Sequence, residues 1–370
     1  MFSFTENQLG IELNTNNYYF IKKAQCMFRK AHFNLLFWIG ISTLSLTIFS
    51  CQTKKSEISQ NSESSTRNFG TKDKIILDSD PSKEINLEDD KQNFDAFMKI
   101  RSSIEGLDSS NQTKESIYYW EGSIYSFIDG QRSKKILGMK GFSVSRWLKT
   151  DSSRQLLTRE VALYTDPKTG KILEKMNNPL LDEKIDSVEI IHVWNNPVNQ
   201  RFPYNIKENY EQNHKESTVY GIPYSELGED IVCFYADIFL TYPSLITRKE
   251  FPQNVQSDLY QGAELFQFFV KKSDLENPML TDVPATISWT RIGQWLPFMN
   301  MGDRKGYLVY QCRGYKVLEG FEGLPKDVKD YVRAKQPIFE HAPTEYSQPN
   351  ETSWSYFKKV KENKKIEIGE

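Results

Sequence analysis

Cysteine and histidine are scarce, with four of each in 370 residues. The cysteines are Cys26, Cys51, Cys233 and Cys312, and only the last two lie in the body of the chain. That excludes a disulfide scaffold and a zinc ribbon. A single Cys233–Cys312 bridge is chemically allowed in an oxidising compartment, and two buried small hydrophobes are the alternative. Beyond residue 50 the histidines are His192, His214 and His341, and nothing in their spacing suggests a shared metal. There is no Gly-x-Ser-x-Gly elbow, no phosphate-cradling glycine loop, no His-Glu-x-x-His helix and no Cys-x-x-Cys pair. No metal or other cofactor is expected. Charge of one sign is also lacking. The formal net charge is −2. Without residues 1–50, which hold four of the 47 Lys and Arg and two of the 49 Asp and Glu, it is −4. A nucleic-acid partner would require a clustered basic excess, so none is expected.

The longest apolar run is confined to the N-terminal region. Phe28-Arg29-Lys30-Ala31-His32 is a short basic head, Phe33 to Phe49 is apolar apart from Asn34 and a few Ser and Thr, and Leu46-Thr47-Ile48-Phe49-Ser50-Cys51 follows. A basic head, an apolar stretch and a small residue at the cut define an export signal. An apolar residue three before a cysteine and Ser just before it resemble the bacterial lipobox, in the relaxed form of Bacteroidetes-type bacteria. Residues 27–50 are therefore expected to be a lipoprotein signal peptide, with Cys51 the lipidated first residue of the mature chain. Residues 1–26 then read as an upstream mis-start. The competing reading is a plain transmembrane anchor, because about 17–20 apolar residues can span a bilayer. Gln52 is not the Asp that retains lipoproteins at the inner membrane. The expected location is the cell envelope, at the outer membrane facing the periplasm.

Residues 51–92 are polar and poor in aromatics, the composition of a flexible tether. Phe94, Phe97, Met98, Arg101 and Ile104 then recur at helical spacing, and Gly106 stops that pattern. Beyond it the period changes to two, in runs bounded by turn signals such as Asp129-Gly130 and Asp166-Pro167-Lys168-Thr169-Gly170. About nine strands at hairpin distance predict a mainly β fold, an antiparallel meander or barrel with a few short helices. Pro325 opens a helix carrying Val328, Tyr331 and Val332 on one face. The range 93–358 reads as a single domain and 359–370 as a charged tail.

Several blocks carry a family resemblance. They include Leu157-Thr158-Arg159-Glu160-Val161, His192-Val193-Trp194-Asn195-x-Pro197, Asp237-x-Phe239-Leu240-x-Tyr242-Pro243 and Glu264-Leu265-Phe266-Gln267-Phe268. Others are Ala285-Thr286-Ile287-Ser288-Trp289-Thr290-Arg291, Cys312-Arg313-Gly314 and Asn350-Glu351-Thr352-Ser353-Trp354. On these blocks the stretch from about Phe94 to Phe357 resembles DUF1838, a bacterial and fungal family of unknown function. The resemblance implies no activity and no catalytic residues. Its strand order is similar to that of lipocalin-like barrels, an analogy of architecture alone.

Strand alternation supplies the candidate site. Glu264 shares a face with Phe266, Phe268 and Val270, an environment that raises a carboxyl pKa and suits a general acid. In a strand, His192 shares a face with Ile190 and Trp194, where it could contact a ligand or carry a proton. Arg291 lines up with Trp289 and Ile287, and Arg313 with Tyr307, Val309 and Gln311; arginine beside an aromatic can grip a carboxylate. Tyr164 falls on the Glu160 face. Arg159, among Val161 and Leu163, requires a partner such as Asp237 or Glu264 if it is buried. The candidate catalytic residues are Glu264 and His192. The candidate ligand-binding residues are Trp194, Trp289, Arg291, Arg313, Tyr164 and Phe268.

Three functions fit this pattern. The first is a lipid-anchored envelope protein binding an apolar or aromatic small molecule in a β-barrel pocket. The second is an enzyme using acid–base chemistry on a hydrophobic substrate, and the third a structural envelope lipoprotein without a pocket. The membrane anchor is common to all three and is separately testable. Cys51→Ala is expected to move the protein from the membrane fraction to the soluble envelope fraction; retention in membranes would favour the transmembrane alternative.

Overall fold

The computed structural model describes residues 84–181, 187–204 and 221–368. The signal segment, Cys51 and His214 lie outside them. Helix α1 (Asp90–Arg101) leads into three long strands, β1 (Ser116–Phe127), β2 (Lys134–Lys149) and β3 (Ser153–Thr165). Short strands follow: β4 (Lys175–Met176), β5 (Val188–Glu189), β6 (Val193–Asn195), β7 (Gln200–Pro203) and β8 (Tyr224–Glu226). Next come β9 (Ile231–Pro243), β10 (Leu259–Lys271), a short helix α2 (Lys272–Glu276), β11 (Ala285–Gly293) and β12 (Tyr307–Val317). Helices α3 (Lys326–Lys335) and α4 (Ser353–Ile368) complete the described chain.

Ten strands form one antiparallel sheet in the order β6-β3-β2-β1-β12-β11-β10-β9-β8, with β7 also paired to β3. Two meanders, β1 to β3 and β9 to β12, are joined where the first long strand pairs with the last, Trp120 opposite Gly314. The expected antiparallel, mainly β fold is present. The described strands do not close into a barrel, because β6 and β8 remain at opposite ends of the pairing order.

The sheet is nevertheless strongly curled. Tyr118 of β1 meets Phe268 of β10 edge-on with ring centroids 5.7 Å apart, although β12 and β11 lie between them. In a flat sheet three strand spacings would hold them about 14 Å apart. Glycine permits the bend around Trp120, whose direct partners on both neighbouring strands are Gly141 and Gly314. A Cβ on Gly141 would lie 2.6 Å from the Trp120 indole nitrogen, and one on Gly314 would lie 2.0 Å from the Tyr119 carbonyl oxygen.

Each face of the sheet packs separately. The convex face buries Ile117, Tyr119, Phe142, Val144, Val161 and Leu163 beneath Val328 and Val332 of α3 and Phe339. Arg159 belongs to this side. It pairs with neither Asp237 nor Glu264, and instead donates to Asn196 Oδ1 at 3.1 Å and to the carbonyls of Ile338 and His341. The concave face holds the main core. One end is covered by α1, which buries Phe94, Phe97, Met98 and Ile100, and the other by residues 295–301 and Trp354 of α4. Leu87 packs into the same core, so order begins inside the segment assigned to the tether. Residues 359–368, expected as a charged tail, continue α4. Cys233 and Cys312 are free, and they sit on opposite faces of non-adjacent strands, so no bridge can form.

The α1 C-terminus is tied to the sheet by side-chain donors. The last carbonyls of a helix have no partner within it. Here Trp147 Nε1 donates to Met98 O at 3.0 Å, Tyr118 OH to Ile100 O at 2.6 Å and Ser145 Oγ to Arg101 O at 3.4 Å. Lys316 Nζ donates to Lys99 O at 2.6 Å and Ser102 O at 3.1 Å and pairs with Asp282. Burial lowers the Lys316 pKa to about 8. Lys316→Met removes the cation, leaving Asp282 and two carbonyls without it. The expected loss is about 3 kcal/mol, the usual cost of breaking a buried pair. Chemical denaturation at neutral pH checks this; a loss below about 1 kcal/mol would contradict the role of Lys316 as the clamp.

Candidate functional site

The concave face between α1 and the 295–301 segment is aromatic and polar at once. Trp120 meets Trp289 edge-on at 6.1 Å, and Phe266 lies parallel to Trp289 at 5.9 Å. Phe268 continues the row beside Phe266, with centroids 6.3 Å apart. Alternation makes this wall: Gly262, Glu264, Phe266, Phe268 and Val270 of β10 face inward, and Arg291, Trp289 and Ile287 of β11 lie opposite them.

Two carboxylates converge here from distant strands. Glu264 is the direct cross-strand partner of Arg291, with its Oε1 3.6 Å from Arg291 Nε. Arg291 also donates from Nη2 to the Tyr260 hydroxyl at 2.9 Å and lies over the rings of Tyr310 and Trp354. Glu160 comes from β3, and its Oε2 accepts from Asn195 Nδ2 at 2.9 Å across the β3–β6 pair. Burial raises the Glu160 pKa to about 6, and the negative charge of Glu264 adds to that rise. The Asn195 hydrogen bond and the charges of Arg291 and Arg101 oppose it. Although Glu160 and Glu264 belong to strands five apart in the order, curling brings them close enough to interact.

Buried polar atoms gather around the two acids without partners. They include Trp120 Nε1, Trp289 Nε1, Tyr310 OH, Asn195 Oδ1 and Thr158 Oγ1. Buried polar groups are nearly always hydrogen-bonded in folded proteins, and each that is not requires a reason. Glu160 and Arg291 keep part of their surface exposed. An aromatic wall with a few convergent donors and acceptors is the usual form of a small-molecule site.

The structure brings together most of the residues expected from alternation. Glu264, Arg291, Trp289, Phe268 and Tyr164 all face the interior. His192 does not join them. It precedes β6, and its Nδ1 accepts from the Tyr164 backbone N–H at 3.0 Å. Its ring lies between Tyr164 and Tyr331, and burial lowers its pKa to about 4, so it is neutral at neutral pH. Its Nε2 is buried without a partner among the described residues. Trp194 shares a neighbour with His192, as expected, but that neighbour is Tyr331 of α3 on the convex side. Arg313 is exposed on the convex face opposite Glu121. Sequence reasoning missed Glu160, Arg101, Asn195, Tyr260 and Tyr310 as site residues. Among the described residues no group of His, Cys, Asp and Glu could hold a metal ion.

A protein-family model described as "Protein of unknown function (DUF1838)" matches residues 113–361, which include every interior residue of the sheet named above. No curated protein matches the chain.

The Glu160 environment has a consequence for stability. Its pKa is about 6 in the folded state against 4.5 for an ordinary glutamate, so the folded protein binds more protons between those values. The stabilisation is complete below pH 4.5 and is lost as the pH rises through 6. Glu160→Gln should therefore gain stability over the native chain above pH 6, by at most about 2 kcal/mol, and no such gain at pH 4. Water reaching the half-buried side chain reduces that figure. Thermal unfolding of both proteins from pH 4 to 8 measures this; a pH-independent difference would mean that the carboxyl is not held in a charge-disfavouring site.

Proposed function

The chain belongs to the DUF1838 family, and we propose that it is a lipid-anchored envelope protein that binds a small molecule on the aromatic concave face of its sheet. The observation that carries this reading is the convergence of Glu160, Glu264 and Arg291 with the unpartnered Trp120, Trp289 and Tyr310 donors. A purely structural sheet would fill that space with apolar side chains, since a half-satisfied polar network is costlier than an apolar core. The export signal and Cys51 supply the anchor in this proposal. Among the described residues no helix is long and apolar enough to cross a membrane.

A second reading has its own support. Glu160 is raised to about 6 beside a second carboxylate, and a carboxyl tuned towards neutral pH suits general acid–base work. In that reading Glu160, with Glu264, takes the place first assigned to Glu264 and His192. Arg291 would hold the substrate or a developing negative charge.

The soluble chain from Gln52 onward, exported without its lipid, is expected to carry or take up a stoichiometric small molecule. Comparing native and denatured masses, with extraction of any bound compound, tests this. An empty protein with no thermal shift across a broad compound screen would overturn the binding reading. If the ligand found is a substrate, Glu160→Gln should abolish turnover while binding is retained.

A further inference from the structure

Arg101 is the last residue of α1, and its guanidinium lies over the Phe268 ring at 5.0 Å and near the Phe97 ring at 5.9 Å. It makes no side-chain hydrogen bond or ion pair with any residue described. Several neighbouring acceptors already have donors. The α1 carbonyls of Met98, Lys99, Ile100 and Ser102 accept from Trp147, Lys316 and Tyr118. The Arg101 carbonyl accepts from Ser145. Asp282 pairs with Lys316 and accepts from Ser116 at 3.2 Å. Glu160, the carboxylate that acts on Arg101 through space, is held by Asn195.

Arg101 is half-buried, and a guanidinium withdrawn from much of the solvent without an anion is a costly arrangement that stacking on phenylalanine offsets only in part. A plain packing role would be filled better by methionine or leucine. The planar fork of arginine is suited to carboxylate, sulfonate and phosphate oxygens. Phe268 lies beneath the guanidinium and continues into Phe266 and Trp289. We infer that Arg101 is the anchor for the charged end of an organic anion whose apolar body lies against Phe266, the partly exposed ring of the Phe268–Phe266–Trp289 row. This rests on the proposed binding site and names its ligand class. The Glu160 and Glu264 carboxylates line the same face, Glu160 within electrostatic reach of Arg101, so a second anionic group there would be repelled. The ligand is therefore anionic at one end only.

A matched series on one ring system tests this by calorimetry on the soluble chain: naphthalene-2-carboxylate, naphthalene-2-methanol and naphthalene-2-methylammonium. The carboxylate is expected to bind at least about tenfold more tightly than the alcohol, as a charge-assisted hydrogen bond allows, and the ammonium weakest. Arg101→Gln should bring the carboxylate down to the alcohol while leaving the alcohol unchanged. If this variant does not fold, the ranking in the native chain and the loss of the carboxylate advantage in high salt carry the test. Equal binding of alcohol and carboxylate by the native chain overturns the anion inference and leaves the binding site standing. No binding of any of the three overturns the aromatic-wall site for such ligands, and the inference with it.

Discussion

A helix end buried against an aromatic sheet must find partners for its last carbonyls, and that requirement organises the concave side of this protein. Those carbonyls lack donor partners within the helix. Here the sheet supplies the donors, from Tyr118 on β1, Ser145 and Trp147 on β2 and Lys316 on β12. Three neighbouring strands thereby grip one helix end. The cation also opposes the negative end of the helix dipole, which reinforces the same geometry. The next side chain, Arg101, takes no part in this clamp and lies over Phe268.

Curling is the second constraint, and the electrostatics of the interior depend on it. Glu160 and Glu264 are five strands apart by pairing order, a separation that would make them strangers in a flat sheet. Gly141 and Gly314 remove the side chains that would resist the bend beside Trp120. Once the face is concave, a carboxyl from β3 is withdrawn from bulk water and exposed to the charge on β10. Desolvation and like charge act in the same direction, and both disfavour ionisation. The perturbed acid is a product of the curvature, not of its immediate sequence neighbours.

That separates what the sequence makes legible from what it does not. Period-two alternation assigns Glu264, Phe266 and Phe268 to one face, and the hairpin β10–β11 places Arg291 opposite Glu264. Both are local facts. Alternation misleads at His192, because the strand it presupposes through Ile190, His192 and Trp194 is interrupted, with His192 outside both β5 and β6. It also misleads at Trp194 and Arg313, since period two groups residues by face and cannot say which face is concave. Glu160 is overlooked because its partners, Asn195, Glu264 and Arg291, lie far away in the chain. The open edges of the sheet are unreadable for the same reason: closure depends on long-range pairing. Arg101 did leave a signal. It falls on the helical stripe of Phe94, Phe97, Met98 and Ile104, and a charge on an apolar stripe either finds a partner in the core or awaits one.

The interior is consequently polarised along its strands. Phe268, beneath Arg101, and Glu264, beside Arg291, are four residues apart on β10, a distance of about 14 Å along an extended strand. Phe266 and Trp289 fill the interval on the same face. A molecule with its charge at the Arg101 end has its remote end delivered towards Glu264 and Arg291 only if it is long enough to cross that wall. Glu160 lies within electrostatic reach of both Arg101 and Glu264. A carboxyl whose ionisation lies near neutral pH therefore feels the anchoring cation and the second carboxylate together. An anion seated on Arg101 would offset the cation and raise that carboxyl further, which couples the binding reading to the acid–base one.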